Sequence, residues 1–210
     1  MSIHKNVVSF ANNMTEWEKN TPPTINESEK EKPSESLWGE LFRFAIIAAL
    51  IVLPFRYFIA QPFIVKGVSM SPTFETGEYL IVDEISYRFN NPERGDVVIV
   101  KKPGNTSENL IKRIMGLPGE TLRYKNNVLT VINKENPDGL IISEPYLTNI
   151  KTSDFEATLG NDQYFVMGDN RPVSLDSRIV GPVRRDAIIG EALLRLFPPT
   201  RISYYPGGIK

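Results

Sequence analysis

Ser69 and Lys112 are the two side chains in this sequence that could together break an amide bond. A serine hydroxyl attacks a carbonyl at neutral pH only when an adjacent base takes its proton. The usual base is histidine. The 210 residues hold one histidine, His4 at the extreme N-terminus, and no cysteine. That sets aside a Ser-His-Asp triad, a thiol nucleophile, a multi-histidine metal cluster and a Cys-ligated zinc or iron–sulfur site. Lysine is the known substitute base for a serine nucleophile.

Lysine can serve only if it is neutral. On a strand, side chains alternate between faces. Lys112 then shares a face with Leu110 and Ile114, while Arg113 points the other way with Ile111 and Met115. An apolar face disfavours the ammonium and lowers its pKa from about 10.4. Holding an ordinary lysine neutral near pH 7.4 costs about 4 kcal/mol, which a dry strand position can supply. Taken singly, the two residues have plainer readings: an edge lysine reaching to water, and a serine that only shapes a turn beside Pro72.

Three segments are rich in polar residues: Gly67-Val68-Ser69-Met70-Ser71-Pro72-Thr73, residues 110–119, and residues 168–178. The elements that must position them are short. Apolar and β-branched runs occupy 79–82, 96–100, 110–115, 128–132, 164–167 and 188–196. They are punctuated by Gly95, Pro103-Gly104, Pro118-Gly119, Asn126-Asn127, Pro137-Asp138-Gly139 and Gly168-Asp169. This pattern predicts an antiparallel, mostly β domain. Residues 124–132 around Asn126-Asn127 predict a hairpin. The chain has no internal repeat and no glycine-rich phosphate loop. Its 24 Lys plus Arg balance 25 Asp plus Glu, so nucleic acid is not expected as a partner.

The N-terminal part reads differently. Residues 1–36 are broken by Pro22-Pro23 and Pro33 and predict a disordered cytoplasmic tail, although Val7, Phe10, Met14 and Trp17 recur at helical spacing. Residues 44–55 carry no charge. Extended to 41–60, a helix would rise about 30 Å, with Arg43 and Arg56 near its ends and Trp38 and Tyr57 as interfacial aromatics. A transmembrane anchor over 37–61 is therefore expected. The start is late for a cleaved signal peptide, and Phe58-Ile59-Ala60 lacks a small residue where cleavage requires one.

Four segments, in this order behind such an anchor, resemble the conserved boxes of type I signal peptidases (leader peptidases, peptidase family S26). They are Ser69-Met70-x-Pro72-Thr73, Gly95-Asp96-Val97-Val98, Lys112-Arg113-x-x-Gly116-Leu117-Pro118-Gly119, and Gly168-Asp169-Asn170-Arg171 through Ser174, Asp176, Ser177 and Arg178. The ending, 193–202 with Pro198-Pro199, resembles the cyanobacterial and plastid thylakoid branch. The resemblance implies a fold of signal-peptidase type: an antiparallel β catalytic domain over 62–123 and 164–210, with a small β insertion lobe over 124–163. It implies Ser69 as nucleophile and Lys112 as general base. Ser174 would orient the lysine ammonium, and Asp176 and Arg178 would pair to hold the loop. Asp169 is further expected to reach Arg113 on the reverse face of the lysine strand.

The same resemblance implies substrate walls at Phe63, Val65, Met70, Phe74, Leu80, Leu110 and Ile111. Bulky walls leave room for small residues, so cleavage after an Ala-x-Ala motif is expected. No metal or other cofactor is implied. The implied partners are signal-peptide-bearing preproteins and the lipid bilayer. The enzyme would be single-pass in the plasma membrane, or the thylakoid membrane, with its N-terminus cytoplasmic and its catalytic domain outside. Two positions depart from the family pattern. Gly67 stands where some members have a serine that helps hold the oxyanion, and Pro172-Val173 stand where small polar residues are common. A self-cleaving repressor-like Ser–Lys peptidase and a non-catalytic anchored peptide-binding domain are the alternatives.

Overall fold

The computed structural model describes residues 37–54, 60–148 and 152–208. The expected tail over 1–36 lies outside them. Helix α1 is Leu37–Pro54, 18 residues. It rises about 27 Å. Among the described residues no helix is long and apolar enough to cross a membrane. The expected helix over 37–61 is also cut short at its far end, where Ala60 already begins a strand. The physical reason is local: Pro62 cannot supply a helical N–H, whereas residues 60–64 pair in register with a neighbouring strand.

The β part contains two sheets. The strands of the first are β1 (Ala60–Ile64), β2 (Tyr79–Asp83), β3 (Val97–Lys102), β4 (Asn105–Gly116), β9 (Gln163–Met167), β10 (Val183–Arg184), β11 (Ile188–Phe197) and β12 (Ser203–Tyr204). Their order is β1-β2-β11-β3-β4-β9-β10, with β12 on β11. The second sheet contains β5 (Thr121–Lys125), β6 (Val128–Ile132), β7 (Leu140–Ile141) and β8 (Phe155–Thr158), in the order β7-β6-β5-β8. Every pairing is antiparallel. The predicted hairpin is present as β5 and β6. Asn126 and Asn127 both have positive φ, 52° and 64°, the conformation a two-residue turn of this hand requires.

The centre of the first sheet is covered on both faces. Val97 and Ile99 of β3 join one core cluster with Val65, Met70, Phe74, Leu80 and Ile111. Val98 and Val100 join another with Ile114, Val166 and Ile188. Such double burial explains why β3 is an unbroken Val-Val-Ile-Val run rather than an alternating one. Lys112 lies opposite Val98 and Arg113 opposite Val97, so the two charged neighbours enter opposite faces of a buried strand. A third cluster joins the sheets: Met115, Phe165 and Met167 pack with Leu122, Tyr124, Leu129, Val131 and Leu159.

Candidate active site

Ser69 lies in the long connection between β1 and β2. Val65 and Gly77 close its base through Val65 N–H to Glu78 O and Gly77 N–H to Val65 O, both 2.9 Å. The connection then turns inward. Phe74 N–H bonds Met70 O at 2.9 Å, and both side chains are buried in the core. Gly67 adopts φ +85°, a region where a side chain is strained, and Thr76 Oγ1 donates to its carbonyl at 2.8 Å. A serine at 67 would be strained in this backbone, although it would meet no neighbouring atom.

Lys112 Nζ lies 2.7 Å from Ser69 Oγ and 2.9 Å from the Ile111 carbonyl. The lysine is 1% exposed. Burial pulls its pKa from 10.5 down to about 8, against the pull of the Asp176 and Asp169 carboxylates. Near neutral pH an appreciable fraction is therefore unprotonated. That form can accept a proton from a hydroxyl already in hydrogen-bond contact.

Three arginines hold the segment 168–178. Arg113 donates from Nε and Nη2 to Asp169 at 2.9 and 2.6 Å, the pair expected from the alternation on β4. Arg178 donates from Nε and Nη2 to Asp176 at 2.8 and 2.7 Å. Arg171 donates from Nε to Gly168 O at 3.2 Å. Desolvation opposes charge on Asp176. The hydrogen bonds from Arg178 and from the Gly168 N–H outweigh it and hold the carboxyl below the ordinary aspartate range. Asn170 ties this segment to the serine turn: its N–H meets Ser69 O at 3.0 Å and its Nδ2 meets Val68 O at 3.1 Å.

Ser174, expected to orient the lysine ammonium, makes no hydrogen bond to Lys112. Its hydroxyl is buried beside Asp176, near enough to favour the carboxylate but without a hydrogen bond of good geometry. The short turn Arg171–Val173, with Pro172 inside it, leads into an extended conformation at Ser174. The Ile111 carbonyl supplies the second contact to Lys112 instead.

A cleft of about 210 Å³ opens beside the pair, lined by Phe63, Val65, Leu80, Ile99, Leu110 and Ile111 with Ser69, Lys112 and Lys66. Met70 and Phe74, expected among the walls, are not part of it. Both are buried in the core cluster that also holds Val65, Leu80 and Ile111. Ile99 is a wall the sequence did not reveal, because it lies on β3 and reaches the cleft only through its pairing with Ile111. Thr73 and Asn170 belong to the family-like segments, but their contacts to Asp169 and to the Ser69 and Val68 carbonyls depend on distant partners, as do those of Glu144 and Tyr146. Among the described residues no group of three His, Asp or Glu side chains could hold a metal.

This geometry falls in a chain whose residues 38–197 match the model of the family described as signal peptidase, peptidase S26. A signal peptidase I of Bacillus amyloliquefaciens is 38% identical over 198 residues, covering 88% of this chain and 96% of the relative. A protein of Synechocystis named "Probable signal peptidase I-2" is 33% identical over 180 residues, covering 83% and 80%. A crystal structure of a signal peptidase I from Enterococcus faecalis V583 is 32% identical and covers 49% of this chain and 97% of its own, with a TM-score of 0.43. The chain belongs to the signal peptidase family, peptidase S26, and is a hydrolase of the signal peptidase I type. Its substrates are accordingly preproteins that carry signal peptides.

Proposed function

We propose that Ser69 and Lys112 form a Ser–Lys dyad that cuts preproteins after small residues. The observation that carries this is the 2.7 Å contact between Nζ and Oγ at a buried lysine. Ser69 Oγ attacks the scissile carbonyl and its proton passes to Nζ. The backbone N–H of Ser69 faces the developing oxyanion. Collapse breaks the C–N bond, and Lys112 returns the proton to the leaving amine. Water then cleaves the acyl-enzyme with Lys112 again as base. Asp176 and Arg178 hold the loop behind the lysine, and Asp169 holds Arg113.

The cleft supports selection of small side chains, because its walls are bulky and its volume is small. Strand β1 is an edge of the first sheet, so an extended peptide can add beside it and direct alternate side chains into the cleft. Attachment to the bilayer is assigned to α1. Trp38, Leu41, Phe42, Phe44, Leu50 and Ile51 are all exposed on it, and beyond Glu40 and Arg43 the helix carries no charge, an arrangement that water disfavours. Placement of the N-terminus in the cytoplasm and of the β domain on the outer side of a plasma or thylakoid membrane further requires a crossing that extends beyond the described helix.

The deciding experiment is cleavage of a preprotein whose signal ends in Ala-x-Ala by the full chain, compared with Ser69→Ala and Lys112→Ala. Both variants should lose cleavage. Retained cleavage in either overturns the dyad.

A further inference from the structure

The second sheet is joined to the active site by more than a shared core. The segment that leaves it after β7 meets each of the three arginines that hold residues 168–178. Arg171 forms a buried ion pair with Glu144, the two side chains being 0% and 9% exposed. Its Nη1 lies 3.3 Å from Glu144 Oε2 and its Nη2 contacts Oε1. The Arg113 guanidinium lies 4.0 Å from the centre of the Tyr146 ring, and Tyr146 Oη donates to Glu144 Oε1 at 3.0 Å. Arg178 Nη1 donates to Thr152 Oγ1 at 2.6 Å. Each arginine thus has one side on the active-site loop and the other on the second lobe.

We propose that Glu144 and Tyr146 are positioning residues of the peptidase, acting on Ser69 and Lys112 through Arg171 and Arg113. The inference rests on the dyad reading above. Arg171 opens the turn that leads to Ser174, and it is preceded by Asn170, which holds the Ser69 and Val68 carbonyls. Glu144 is the carboxylate that neutralises this buried guanidinium. Without it a buried cation loses its counter-charge, and the turn must move to hydrate it. Arg113 follows Lys112 on β4, so the ring beneath its guanidinium helps fix the strand that carries the base. Displacement of a reacting group by a fraction of an ångström is enough to slow the chemical step without altering the cleft.

The test uses the full chain and steady-state cleavage of an Ala-x-Ala preprotein, at temperatures well below the Tm of each variant. Glu144→Gln and Tyr146→Leu should lower kcat on the order of tenfold with KM changed by less than about twofold. Tyr146→Phe, which keeps the ring over Arg113, should recover most of the kcat lost in Tyr146→Leu. Glu156→Gln, on the exposed side of the same lobe, serves as the control and should match the parent. A kcat loss that disappears when corrected for the folded fraction overturns the proposal, as does wild-type kcat in Glu144→Gln. If Glu144→Gln does not fold, the Tyr146→Leu and Tyr146→Phe pair decides. Ser69→Ala measured alongside separates the two readings: activity there defeats the dyad, whereas an inactive Ser69→Ala with unimpaired clamp variants defeats the clamp alone.

Discussion

Asp169 Oδ2 accepts hydrogen bonds from Arg113 Nη2 and from Thr73 Oγ1, each 2.6 Å long. One carboxylate therefore joins the reverse side of the lysine strand to the turn four residues beyond the serine. Arg113 also donates to the Gly95 and Gly207 carbonyls, so the start of β3 and the C-terminal segment meet at the same guanidinium.

Removal of Asp169 tests this junction. Arg113 and Asp169 are 0% and 1% exposed, and breaking such a pair from one side costs about 3–5 kcal/mol. Asp169→Ala should lower Tm markedly and slow acylation of Ser69 by an acylating inhibitor. Trapping at the wild-type rate would show that the junction does not position the serine.

The pH profile follows from Lys112. Below its pKa of about 8 the ammonium cannot accept the serine proton, so kcat/KM should fall about tenfold for each unit of acidification and level off above pH 8. A profile that stays flat between about pH 5 and 9 contradicts a lysine base with the shift its burial imposes.

The same shift has a stability consequence. The folded pKa lies below the unfolded one, so between about pH 8 and 10.5 the unfolded chain binds more protons and stability rises with pH. Below that window the buried amine costs about 3 kcal/mol. Lys112→Met should abolish cleavage yet raise the urea midpoint at pH 7. A lowered midpoint would mean that the hydrogen bonds to Ser69 and Ile111 outweigh the desolvation.

Gly168 makes a steric prediction. A Cβ there would come within 3.0 Å of the Ser69 carbonyl oxygen and of Ser174 Oγ. A backbone atom of the nucleophile's own residue yields only by moving the turn. Gly168→Ala should therefore cost at least about tenfold in kcat/KM, read as roughly 1.4 kcal/mol or more. Normal kinetics would show that the turn can relax.

The cleft wall can be widened. Leu80 and Ile111 both line it and both are buried. Ile111→Ala should improve cleavage after Val relative to Ala, measured as the ratio of kcat/KM values on matched substrates. An unchanged ratio would remove Ile111 from the specificity wall.

Much of this enzyme could be read along the chain because the relevant physics is local. Alternation on β4 placed Lys112 and Arg113 on opposite faces. The Asn126-Asn127 pair announced its hairpin, and the lack of a usable histidine or cysteine left lysine as the base for a serine. Other features needed the folded chain. Lys112 and Ser69 are 43 residues apart, Arg113 and Asp169 are 56 apart, and Thr73 and Asp169 are 96 apart. No spacing rule encodes such contacts. That the Ile111 carbonyl makes the second contact to Lys112, while Ser174 Oγ has no hydrogen-bond partner, depended on how two loops pack over one buried strand. The roles of Glu144, Tyr146 and Ile99 were decided there too, because burial and charge pairing are properties of neighbours that only the tertiary structure assembles.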